Sequence, residues 1–134
     1  MAKSSAPYQV LIVDDAPAVR EGLRWLLENE PDLSVVGEAG DGPEALELAA
    51  RLAPDLVILD IELPGADGFY VAQALGAAPA PPAIIFLTIH TDARSMQRAR
   101  AVGCTSFVAK TGNWGLLLAE IRRALANVQR RGER

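Results

Sequence analysis

Short continuous apolar runs alternate with stretches of helical periodicity from one end of the chain to the other. That rhythm marks a parallel sheet covered on both faces by helices. The runs are Gln9 to Val13, Leu33 to Ala39, Asp55 to Leu59, Ala83 to Leu87 and Thr105 to Ala109. A strand buried on both sides shows no polar alternation, and Val10 to Val13 and Leu56 to Leu59 show none. Between the runs, Pro17 opens a helix reaching about Asn29, with Val19, Leu23, Leu26 and Leu27 on one face. A second helix opens at Pro43 and turns Ala45, Leu46, Ala49, Ala50 and Ala53 inward. A weaker third covers Phe69 to Ala77, and a fourth runs from Asp92 to Val102 with Gly103 placed to end it. The last repeats Leu117, Ile121, Ala124, Leu125 and Val128 at helical spacing. The expectation is one α/β domain over residues 8–128, a short extension over 1–7 and a basic tail over 129–134.

Composition narrows the function classes. Half of the 134 residues are apolar, enough for a core, and the formal charge of −4 is the wrong sign for a chain that wraps nucleic acid. No direct nucleic-acid binding is expected. One cysteine, Cys104, permits no internal disulfide and no thiolate cluster, which fits a reducing compartment. The opening MAKSSAPYQV has no apolar targeting core, and no apolar run is long enough to span a bilayer. The expected location is the cytoplasm, off the membrane.

The polar residues are informative by position. Asp14 and Asp15, Asp60, Thr88 and Lys110 each stand at the C-terminal end of an expected strand, the first, third, fourth and fifth. Open α/β sheets bind ligands along that edge. Any one of these aspartates could simply cap a helix or form a turn, since Asp does both. Together, three crowded carboxylates repel unless a cation joins them, and a hard divalent ion with oxygen ligands, Mg²⁺ or Mn²⁺, answers that need.

The order VDD at Val13 to Asp15, LDIELPGADG at Leu59 to Gly68, LT at Leu87 and Thr88, and FVAK at Phe107 to Lys110 resembles the response-regulator receiver domain of two-component signalling. LPGADGF and LTIHTD look most like its NarL/LuxR-type branch. The resemblance implies a CheY-like, flavodoxin-like doubly wound sheet of five parallel strands in the order 2-1-3-4-5. It also implies phosphoryl transfer from a sensor histidine kinase to Asp60. Asp14, Asp15, Asp60 and the backbone carbonyl of Glu62 would hold the metal, while Lys110 and Thr88 would contact the phosphoryl oxygens. Thr88 and Phe107 would form the switch read by helix four, strand five and helix five. No external-substrate activity is expected beyond self-catalysed phosphotransfer and autodephosphorylation. The output would be transcriptional, through a DNA-binding domain beyond the basic tail, with homodimers formed through helices one and five or four and five. The alternatives are a pseudo-receiver that binds partners without phosphotransfer and, more distantly, a small hydrolase.

Two departures bear on the chemistry. Thr111 follows Lys110 where most receivers place a cis-proline, so a trans bond is expected, a non-proline cis bond being costly. Ile89 follows Thr88 where a small residue is usual. Glu62, Ile89 and His90 are therefore expected to modulate phosphoryl lifetime, Ile89 either shielding the acyl phosphate or pointing to solvent. His90 is otherwise read as a solvated loop residue, Cys104 as a small buried one, and Trp25 and Trp114 as partly exposed tryptophans that either anchor a dimer or cover a local edge.

Overall fold

The computed structural model describes residues 6–89, 92–103, 106–110 and 114–128. His90, Cys104, Thr105, Thr111 and the 129–134 tail lie outside them. The elements alternate without exception: β1 (Tyr8–Val13), α1 (Pro17–Glu28), β2 (Leu33–Ala39), α2 (Gly42–Leu52), β3 (Leu56–Leu59), α3 (Gly68–Gly76), β4 (Ala83–Thr88), α4 (Ala93–Ala101), β5 (Ser106–Ala109) and α5 (Trp114–Leu125). The strands form one parallel sheet in the order β2-β1-β3-β4-β5. The expected five-stranded doubly wound fold is the observed one.

Period-two geometry splits every central strand between two cores. Val10 and Ile12 of β1, Leu56 and Ile58 of β3 and Ile85 and Leu87 of β4 meet Leu23 and Leu27 of α1 and Leu117 and Ile121 of α5. The alternate residues Leu11, Val13, Val57, Leu59, Ile84 and Phe86 meet Ala45 of α2, Phe69, Val71 and Leu75 of α3 and Ala99 of α4. Each large aliphatic side chain so buried contributes roughly 1.5–3 kcal/mol.

Local chemistry sets the helix ends. Pro17 opens α1, and three aspartates cap the next helices: Asp41 accepts from Glu44 N at 2.8 Å, Asp67 from Tyr70 N at 2.8 Å and Asp92 from Ser95 N at 3.0 Å. Asp92 and Val102, expected inside the fourth helix, are thus its flanking caps. α3 begins at Gly68, one residue early, because Asp67 caps it there. Thr88 is the last residue of β4, and Asp55 precedes β3. The inward stripe of the second helix needs correction. Ala50 is exposed, and Ala53 lies past the helix as its C-cap, at φ 48° in the left-handed region. Ala45, Leu46 and Ala49 pack against the core as expected, and Leu48 joins them. Likewise α5 ends at Leu125, and Val128 reaches the core from beyond it.

Candidate functional site

Register brings the acids together. Val13 pairs with Leu59 across β1 and β3, so the next residues, Asp14 and Asp60, leave the sheet side by side. Asp14 N donates to Ala39 O at 3.0 Å and Asp60 N to Val13 O at 3.0 Å, holding both corners to the sheet. Carboxylate oxygens of Asp14, Asp15 and Asp60 lie within 4.8 Å of one another. Asp14 is buried, Asp60 is 8% exposed and Asp15 is open to solvent.

Lys110 enters from the far side. Thr88 pairs with Ala109, and Lys110 N donates to Thr88 O at 2.8 Å, which aims the following side chain over the sheet edge. Its Nζ lies 2.7 Å from Asp14 Oδ2 and 3.0 Å from Asp60 Oδ2. Burial pushes the Asp60 carboxyl above its ordinary 3.8, and the hydrogen bond and charge of Lys110 pull only part of that back. Burial would also lower the Lys110 ammonium, but the hydrogen bonds it donates to Asp14 and Asp60, with their charges, outweigh it and hold the pKa above 10.5.

The loop from β3 to α3 walls the other side. Glu62 N donates to Asp60 Oδ1 at 3.2 Å, and Gly68 N to Ile61 O at 2.6 Å. Gly65 turns this loop at φ 83°, a conformation open to glycine, and Pro64 O accepts from Gly42 N of α2 at 3.1 Å. A groove of about 430 Å³ opens beside the acids, lined by Asp15, Glu62, Pro64, Asp67, Phe69 and Arg98.

Thr88 is fully buried at the end of β4, and Phe107 is half-buried two strand positions below Ala109. The Phe107 ring lies 6.3 Å from Phe86, which lies 5.4 Å from Phe69, over which the Arg98 guanidinium sits at 4.1 Å. Ile89 is 70% exposed, pointing largely to solvent, and Glu62 is exposed. Trp25, at 71% exposure, and Trp114, at 36%, stand on the outer surfaces of α1 and α5. Sequence reasoning missed Arg20, in the first turn of α1, whose guanidinium donates to Asp14 O at 2.6 Å, because a backbone carbonyl partner leaves no sequence signal. It also missed Asp55, whose carboxylate accepts from Gln9 N at 2.8 Å and ties β1 to the start of β3.

A set of clustered carboxylates with one ammonium suits a hard divalent cation by donor chemistry and by excess negative charge. The strand-end site and the 2-1-3-4-5 sheet agree with a family model, the response regulator receiver domain, which matches residues 10–122. The chain belongs to that family. Among relatives of this receiver, the nitrate/nitrite response regulator protein NarP of Escherichia coli is 37% identical over 88% of the chain and 55% of its own length. The transcriptional regulatory protein LiaR of Bacillus subtilis is 35% identical over 87% and 55%. The receiver thus spans about half the length of these relatives. In structure it is similar to the signal receiver domain of NarL from Mycobacterium tuberculosis, with a TM-score of 0.86 at 30% identity over 91% of this chain and 98% of that one. The response regulator domain of Thermotoga maritima CheB gives 0.82 at 31% identity over 92% and 99%. Among the described residues, no helix is long and apolar enough to cross a membrane.

Proposed function

We propose that this receiver accepts a phosphoryl group on Asp60 from a partner histidine kinase and passes the change to an output that regulates transcription. The observation that carries the reading is the shared contact of Lys110 with Asp14 and Asp60 beside the exposed Asp15. Lys110 donates to Asp60 and offsets part of the burial that disfavours its charge, which favours the anion that acts as nucleophile. An oxygen of Asp60 bonds to phosphorus as the phosphorus–nitrogen bond of the donor breaks, and the bonding pair returns to the imidazole, which takes up a proton. Asp14, Asp15, Asp60 and the Glu62 carbonyl would hold Mg²⁺ or Mn²⁺. Such an ion supplies charge stabilisation to the oxygens of a loose phosphoryl transition state. Lys110 gives its compact cation to one phosphoryl oxygen and Thr88 its hydroxyl to another.

Recruitment of Thr88 draws the end of β4 inward and lets Phe107 move into the space, changing the face made by α4, β5 and α5. That face carries a groove of about 280 Å³ lined by Met96, Arg100, Phe107, Leu116 and Glu120, a surface for a second copy in a homodimer. Glu62 and Ile89, both exposed, together with His90, which lies outside the described residues, would modulate phosphoryl lifetime. The relative named as a transcriptional regulatory protein, LiaR, of which the match covers 55%, supports an output domain beyond the receiver.

Acetyl phosphate with Mg²⁺, read by intact mass and by hydroxylamine sensitivity of the adduct, tests the reading. One phosphoryl group is expected, lost with chelator and in Asp60→Asn. An adduct that survives Asp60→Asn, or a chain that takes none, sinks it.

A further inference from the structure

We infer that Arg20 is a positioning residue for the cation-binding corner, an inference that rests on the metal reading above. The Asp14–Asp15 corner is gripped at each polar atom of Asp14. Its N–H donates to Ala39 O at 3.0 Å, Oδ1 accepts from Ala16 N at 2.9 Å, and Oδ2 lies 2.7 Å from Lys110 Nζ. Its carbonyl accepts from Arg20 at 2.6 Å. That last bond is the one made by a long side chain reaching back from α1, and it sits directly before the peptide that leads to Asp15.

Arg20 is itself anchored. Its Nε lies 3.4 Å from Glu38 Oε1, and Arg24 holds the other oxygen of the same carboxylate. Glu38 belongs to β2, whose neighbour Ala39 accepts the Asp14 N–H, so the guanidinium bridges β2 and the acid corner through one rigid plane. Arg20 and Glu38 are both largely covered, at 22% and 25% side-chain exposure. Gly40 keeps the space open: a Cβ there would lie 3.3 Å from the Arg20 guanidinium.

Position and charge predict opposite signs, which makes the role testable. A cation near an acid cluster opposes a second cation, so removing a charge alone tightens metal binding. Removing a bond that orients a metal ligand loosens it, about tenfold in comparable shells around metal sites. Arg24 is the internal control, since it shares Glu38 and the same charge but does not touch Asp14.

Mn²⁺ titrations followed by electron paramagnetic resonance on the wild type, Arg20→Met, Arg20→Lys and Arg24→Met decide it, with circular dichroism reporting the fold. The expected result is a weakening of about tenfold in Arg20→Met and no weakening in Arg24→Met. Arg20→Lys keeps the charge, loses the two-ended bridge and is expected to weaken binding severalfold; it carries the test alone if Arg20→Met does not fold. Binding in the Arg20 variants equal to or tighter than wild type overturns the positioning role and leaves the metal reading intact. A wild type that takes up no Mn²⁺ overturns the metal reading and this role with it.

Discussion

At the scale of single residues, Asp60 is held against its own preference. Burial raises its pKa above 3.8, so the ionised form costs stability in the folded state, and that cost grows as pH rises from 3.8 through the raised value. Asp60→Asn mimics the neutral form and is expected to stabilise the fold at pH 7 by on the order of 1 kcal/mol, as relief of strained functional sites commonly does. The sign has a built-in check: denaturant melts should show the advantage shrinking as pH falls and vanishing below the ordinary carboxylate range. An advantage independent of pH would locate its cause elsewhere. Gly68 is constrained more tightly. A Cβ there would stand 2.3 Å from Asp60 O and 2.7 Å from Ile61 Cα, so Gly68→Ala must push the loop off the acid. A loss of about 1–3 kcal/mol is expected in urea melts, as for other overpacked sites, together with weaker Mn²⁺ binding. The glycine that closes the LPGADG motif has this contact as its physical reason.

At the scale of elements, capping shows where sequence patterns carry information and where they do not. Asp41, Asp67 and Asp92 stand at helix starts, and side chains that accept N–H groups explain why each helix begins one position after its aspartate. The α2 stripe was harder to read because alanine carries little burial preference. Ala45 and Ala49 face the core while Ala50 does not, and only Leu46 and Leu48 mark the true face. Ala53 was misread as an inward residue, although its left-handed φ makes it a helix terminator. Ala53→Gly is therefore expected to raise stability by about 0.5–1 kcal/mol, measured as a shift of the urea midpoint at constant slope. A neutral or negative result would mean the terminal turn already accommodates the methyl without strain.

At the scale of the molecule, the two-sided core was legible because the continuous runs Val10–Val13 and Leu56–Leu59 suit strands buried on both faces, while the strand order followed from the family resemblance and not from the runs. The acids and Lys110 were legible as a set because each ends a strand, and the register turns that shared level into contact. Arg20 was not, since its partner is a carbonyl and a carbonyl leaves no trace in a sequence. A molecule built this way should be stabilised through its acid corner. At a hundredfold excess over Kd, Mg²⁺ is expected to add about 2.7 kcal/mol and raise Tm by roughly 10 °C. Chelator should reverse the shift and Asp15→Asn should abolish it in scanning calorimetry. The contact of Lys110 with two of three acids has a last consequence in valence. With every carboxylate ionised, one ammonium leaves a surplus of two negative charges, which a single divalent ion brings to electroneutrality. Converting the Asp60 carboxylate to an acyl phosphate then changes the local sum by about one unit, because the acid's own charge is consumed as the phosphoryl charge arrives. One unit is within reach of hydroxyl and amide dipoles, so no further ion need be recruited for the molecule to register the event.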